Sequence, residues 1–192
     1  MSKTDIVKNA EKVNKIVDIY LKEKQEPIQR ILDTVGEQWF SAPANTRTEL
    51  GYAYMGGLCD LSLRICYWLQ KLNKTMEKNI PTDSLMLVGL FHQLGKAGMP
   101  GQDLYVPQES DWHRNKGMMY TVNEDLKTMS VRDRTLYLLQ HCGVELKDYE
   151  YQAIMLWEGQ YSDENRVMRY RENPIALLLH WSYIWVSTQE KR

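Results

Sequence analysis

The residue types best suited to chemistry stand in one run, Leu87-Val88-Gly89-Leu90-Phe91-His92-Gln93-Leu94-Gly95-Lys96-Ala97-Gly98. An apolar stretch delivers an imidazole to its end, a carboxamide follows directly, and a lysine comes one helical turn later. An imidazole beside a carboxylate can hold a divalent cation and lower the pKa of its bound water, which then attacks an ester. Gln93 offers a neutral carbonyl in the carboxylate's place, which neither anchors a hard cation strongly nor takes up a proton. Lys96 keeps its charge without any metal and suits a phosphate. Taken alone, His92 reads as a helix-end group that bonds nearby backbone.

The chain offers little other chemistry. It has no phosphate loop of the GxxxxGK type, no GxGxxG, no serine elbow and no convincing Cys-His pair. The acid pairs Glu124-Asp125, Glu109-Asp111 and Asp163-Glu164 fall in predicted loops without a histidine at metal-ligand spacing. Cys59, Cys66 and Cys142 are odd in number and form no CxxC pair, against both a disulfide framework and a structural zinc site. The spacing of Cys59 and Cys66 puts both thiols on one helix face, where burial is the simpler reading.

Helices must position these groups. Apolar residues recur at helical spacing over residues 4–22, with lysines and acids opposite. A second helix opens at Pro27, carries Ile28, Ile31, Leu32 and Val35, and is predicted to stop at Gly36. A turn-rich approach over residues 39–57 leads into a long helix through Leu58, Leu61, Ile65 and Leu69. Thr82 or Asp83 caps the helix that ends in His92. Residues 95–128 read as one long internal loop in which "LYV" and "MMYTV" could pair as a small hairpin. Ser130 with Asp133 opens another helix, one more runs from about Lys147 to Trp157, and the last starts at Asn173-Pro174. Trp181 and Trp185, at i and i+4 on it, are read as core. The result is an all-α bundle of about seven helices. Residues 1–38 supply N-terminal helices that pack on a single unit formed by residues 39–192.

Hydrophobic residues make up 43% and charged residues 26%, with a formal charge of -1. That composition is ordinary for a globular domain and carries no global field to draw in nucleic acid or an anionic membrane. Charges at Lys8, Glu11, Lys12, Lys15 and Asp18 rule out a signal peptide or membrane span at the start, so a cytoplasmic location is expected.

The stretches APANTR, GGLCDLSL, LFHQLGKAG, TLYLLQ and LLLHWSYIW follow one another in an order that resembles the HD-domain superfamily of metal-dependent phosphohydrolases. The small HD proteins of bacteriophages and bacteria are the branch most similar in pattern, and the likeness runs from Trp39 to Ser187. It implies a helix bundle holding one or two divalent metals through a histidine after the GGL turn, a His-Asp pair, further histidines and a late aspartate. This chain departs from that set at position after position. Leu61 stands for the first histidine, Gln93 for the aspartate of the pair, Val131 and Trp157 for further histidines, and Tyr183 for the late aspartate. Only His92 matches. Catalytic metal sites need about three protein ligands, so the resemblance implies a pseudoenzyme with no metal and no cofactor.

The same resemblance points to a binding role. His92, Gln93 and Lys96, with Arg47 from the approach loop, Arg64 one turn after Leu61, and Trp157 and Tyr183 in former ligand positions, form the candidate ligand-binding set. A nucleotide or cyclic oligonucleotide could stack on the aromatic faces, a contact worth about 1–3 kcal/mol per base. Phage relatives in pattern extend this to sequestration of a host nucleotide signal, a counter-defence role in the host cytoplasm. Two alternatives stand beside it. One is a protein–protein interaction module or inhibitor of a host protein, with the pocket filled in. The other is a residual phosphohydrolase using His92, His113, His180 and Glu158. Aromatic richness also makes a homo-oligomer a candidate assembly.

Overall fold

The computed structural model describes residues 3–190. Eight α-helices are found among them: α1 (Lys3–Tyr20), α2 (Gln25–Ser41), α3 (Gly57–Thr75), α4 (Thr82–Phe91), α5 (Asp111–Asn115), α6 (Val131–His141), α7 (Asp148–Met155) and α8 (Pro174–Gln189). Two short strands, β1 (Tyr105–Pro107) and β2 (Tyr120–Val122), pair antiparallel with Val106 opposite Thr121. The protein is all-α with one small hairpin among the described residues. None of its described helices is long and apolar enough to cross a membrane.

α4 is the centre of the bundle. Every residue from Ser84 to Phe91 is buried, as a helix apolar on all sides must be. α1, α3, α7 and α8 all pack against it. Val13 and Val17 of α1 and Ile28, Ile31 and Trp39 of α2 share one continuous core with Leu58 of α3, Leu138 of α6, Ile154 of α7 and Leu179 of α8.

Three local readings are corrected. Gly36 does not end α2 but lies buried inside it, and the helix continues to Ser41. A glycine inside a helix costs about 1 kcal/mol, whereas continuing buries Trp39 completely, a side chain whose loss from a core costs roughly 3–5 kcal/mol. The stretch 95–128 is not one irregular loop, since it holds β1, α5 and β2. It is fastened to the approach segment, where Met119 N and Tyr120 N donate to Thr46 O at 2.8 and 3.1 Å. Trp181 and Trp185 are not core: they are 43% and 46% exposed. α8 turns Ile175, Leu178, Leu179, Ser182 and Val186 inward, and the helical period leaves the two tryptophans on its flank.

Candidate functional site

α4 places His92 at its C-terminus, inside the bundle. Nδ1 lies 3.1 Å from Val88 O and 3.2 Å from Gly89 O, so it carries the proton and leaves Nε2 as a bare lone pair. Nε2 has no hydrogen-bond partner, and neither do Oε1 and Nε2 of Gln93 or Nε1 of Trp157. Buried polar atoms without partners cost about 1–3 kcal/mol each. Trp157, just after α7, meets the His92 ring edge-on at 5.9 Å and the Tyr183 ring of α8 at 4.7 Å. The relative exposures of His92, Gln93 and Trp157 are 0%, 1% and 5%. Leu61 of α3 is wholly buried in the same core.

A short 3-10 turn, Leu94–Ala97, brings Lys96 back over this group. Gly95 permits the turn: a Cβ there would stand 2.3 Å from Val131 O at the start of α6. Lys96 Nζ donates to Ala44 O of the approach loop at 2.6 Å and sits 5.5 Å from the Trp157 ring centroid.

The electrostatics follow from burial. Burial, aided by the Lys96 ammonium, pushes His92 down to about 3, despite opposing bonds to the Gly89 and Val88 carbonyls. Burial likewise lowers Lys96 to about 8, with Glu158 pulling the other way. The Tyr183 phenol is pushed up to about 12 by burial, then by Glu158 and Tyr105. His92 is therefore neutral at physiological pH, and Lys96 is a partly desolvated cation on an aromatic face.

The structure thus brings together His92, Gln93, Lys96, Trp157 and Tyr183 of the sequence-selected set. Tyr105 of β1, absent from that set, joins them with Glu158. No signal in the hairpin sequence could have found Tyr105, because its place depends on how β1 folds back. Arg47 and Arg64 lie outside the group, a correction to the sequence reading. Arg47 is exposed and pairs with Glu49 at 3.4 Å. Arg64 turns to Glu190, beyond the end of α8.

The described residues do not fit a metal. Among the described residues, no group of three or more His, Cys, Asp or Glu side chains is placed to hold one. His180 bonds Trp157 O through Nδ1 at 3.0 Å, and His113 stacks edge-on with Trp112 at 4.9 Å. The rearranged ligand set of the residual-hydrolase alternative is therefore not assembled.

A second feature lies on the surface. Trp68 of α3 packs on Trp185 of α8 with centroids 5.2 Å apart, and Tyr67 meets Trp68 edge-on at 5.6 Å. Lys71 Nζ stands 4.6 Å from the Trp68 ring centroid. Glu190 accepts hydrogen bonds from Trp68 Nε1 at 2.7 Å, from Trp185 Nε1 at 3.3 Å and from Arg64. One carboxylate thereby holds the edges of two indoles and a guanidinium. With Trp181 one turn earlier on α8, these rings form an aromatic face that the bundle leaves open.

No protein-family profile, curated protein or solved structure matches the chain.

Proposed function

We propose that this chain is a non-catalytic, HD-like helical domain whose former reaction centre is closed by its own side chains, and that it works by binding a protein partner. The observation that supports this is the complete burial of His92, with Gln93 and Trp157 almost as enclosed. The imidazole has no exposed surface for a phosphate ester to reach, and Trp157 packs edge-on against it. The α3–α8 aromatic face is the surface this reading favours for the partner. Exposed contiguous apolar surface marks interaction sites, and tryptophan and tyrosine dominate interface energetics.

A second reading keeps a nucleotide-type ligand at the centre, sequestered without cleavage. What favours it is the set of partnerless polar atoms on His92, Gln93 and Trp157, together with the Lys96 ammonium. This reading requires the buried centre to open.

Thermal shift of metal-free protein, with and without Mn²⁺, against mono-, di- and cyclic dinucleotides separates the readings when each nucleotide is recovered and checked for cleavage. The proposal expects no cleavage and no stabilisation that depends on Lys96. A purified partner identified by cross-linking should then bind wild type at least tenfold more tightly than Trp181→Ser/Trp185→Ser. Metal-dependent cleavage would overturn the non-catalytic reading. Stabilisation abolished by Lys96→Ala would replace the partner reading with the sequestering one.

A further inference from the structure

A groove of about 520 Å³ runs between α1, α3 and α4, within the span of small-molecule pockets, roughly 300–1,000 Å³. None of its lining residues belongs to the polar centre around His92. Its apolar part is built from Ile16 of α1, Leu63 of α3 and Met86 of α4, and two phenol rings, Tyr20 and Tyr67, border it. Tyr67 is 59% exposed, so its ring is open to a flat ligand.

The α1 wall carries Lys12 and Lys15. Their i, i+3 spacing places the Cβ atoms about 5–6 Å apart on one helix face. Neither ammonium has a carboxylate within ion-pair distance among the described residues. Lys12 Nζ donates instead to Asn9 Oδ1 at 3.2 Å. Asn9 is 4% exposed, and its Nδ2 has no hydrogen-bond partner. Lys12 and Lys15 thus put two ammonium groups without a carboxylate partner on one wall, a cationic edge that favours an oxyanion over a neutral group.

The opposite wall adds Arg64, whose guanidinium is already paired with Glu190, and Asp60, the one lining carboxylate. Asp60 is itself occupied, since its Oδ2 accepts from Tyr54 OH at 2.7 Å. Among the described residues the Gln70 amide N–H finds only the Met86 sulfur, 3.7 Å away, and a thioether is a weak acceptor. Its carboxamide is therefore available to hydrogen-bond the edge of a heterocycle.

We propose that this groove binds a small phosphate monoester carrying a planar ring. The phosphate sits between Lys12 and Lys15, and the ring lies on Tyr67 over Leu63 and Met86. The inference shares Tyr67 with the aromatic face proposed above, but Lys12 and Lys15 belong to the groove alone.

The test is isothermal titration of the full chain, at low ionic strength, with adenosine monophosphate, adenosine and inorganic phosphate. Adenosine monophosphate should bind at least tenfold more tightly than either fragment. Lys12→Ala/Lys15→Ala should weaken it by more than tenfold, the scale set by one or two charge-assisted bonds. Tyr67→Ala should weaken adenosine monophosphate but leave inorganic phosphate unchanged. All three side chains are exposed, so circular dichroism should confirm an unaltered fold. No binding at millimolar ligand overturns the proposal, as does an affinity unchanged in the double variant. An affinity that survives the double variant but falls in Lys96→Ala would move the ligand to the polar centre and overturn the groove.

Discussion

Trp157→Ala empties the space between His92, Lys96 and Tyr183. Losing a tryptophan from a packed core costs about 3–5 kcal/mol, and the edge-on contact with Tyr183 at 4.7 Å adds about 0.5–1.5 kcal/mol. Against this, removing the partnerless indole N–H returns about 1–3 kcal/mol. The net loss should be about 3 kcal/mol, read by urea unfolding followed by circular dichroism. Trp157→Phe keeps a ring and discards the orphaned N–H, so it should cost no more than about 1 kcal/mol. A second readout is the His92 titration by NMR. Burial and the Lys96 charge hold His92 at about 3, below its ordinary value. The neutral form is therefore favoured in the folded state. Stability is lost as pH falls below the ordinary histidine value, and the loss is complete only below about 3. Across that window the loss amounts to about 5 kcal/mol. Water entering the Trp157→Ala cavity should raise His92 toward its ordinary value and flatten this acid dependence. If wild-type His92 already titrates near its ordinary value, and Trp157→Ala costs under about 1 kcal/mol, the centre is hydrated and the closed-centre argument fails.

Three further perturbations follow from particular contacts. Lys96, lowered to about 8 by burial, destabilises the fold below that pH, and stability should climb by up to about 3 kcal/mol as pH rises from there toward the ordinary lysine value. Lys96→Met should abolish that climb in pH-dependent urea unfolding, and at neutral pH it should be neutral to stabilising despite the unpaired Ala44 carbonyl. Burial alone would raise the Glu190 carboxyl, but hydrogen bonds from Trp68 and Arg64, the Arg64 charge and the Trp185 bond hold it below its usual value. Its contribution is thus present above the ordinary carboxylate value and disappears as pH falls through the lowered one. Glu190→Gln should cost about 1 kcal/mol at neutral pH and remove that acid dependence. Gly159→Ala should cost at least about 2 kcal/mol in chemical denaturation, because Gly159 has φ of +60 and a Cβ would stand 2.4 Å from the His180 ring.

Much of the helical order was legible because local rules dominate it. Ser130 accepts from Asp133 N at 3.1 Å at the start of α6, and Pro174 opens α8, where capping chemistry placed both. The hairpin formed where two short β-prone runs allowed it. Gly36 was misread because burial of Trp39 outweighs glycine's helix penalty, and that burial depends on α2 meeting its neighbours.

The residue types along the chain determined which groups are available, with the carboxamide of Gln93 rather than a carboxylate directly after His92, because a ligand atom belongs to a residue type and no fold can change it. The helical class was determined in the same way, since periodicity is written along the chain. Tertiary structure alone decided where the remaining charges and rings point. Arg64 could have faced His92, but its partner Glu190 lies 126 residues away, and no local rule couples such positions. α8 is apolar on nearly every side, so its sequence has no preferred face to announce. Only packing against α3, α4 and α7 chose which residues to bury, and it left Trp181 and Trp185 in solvent.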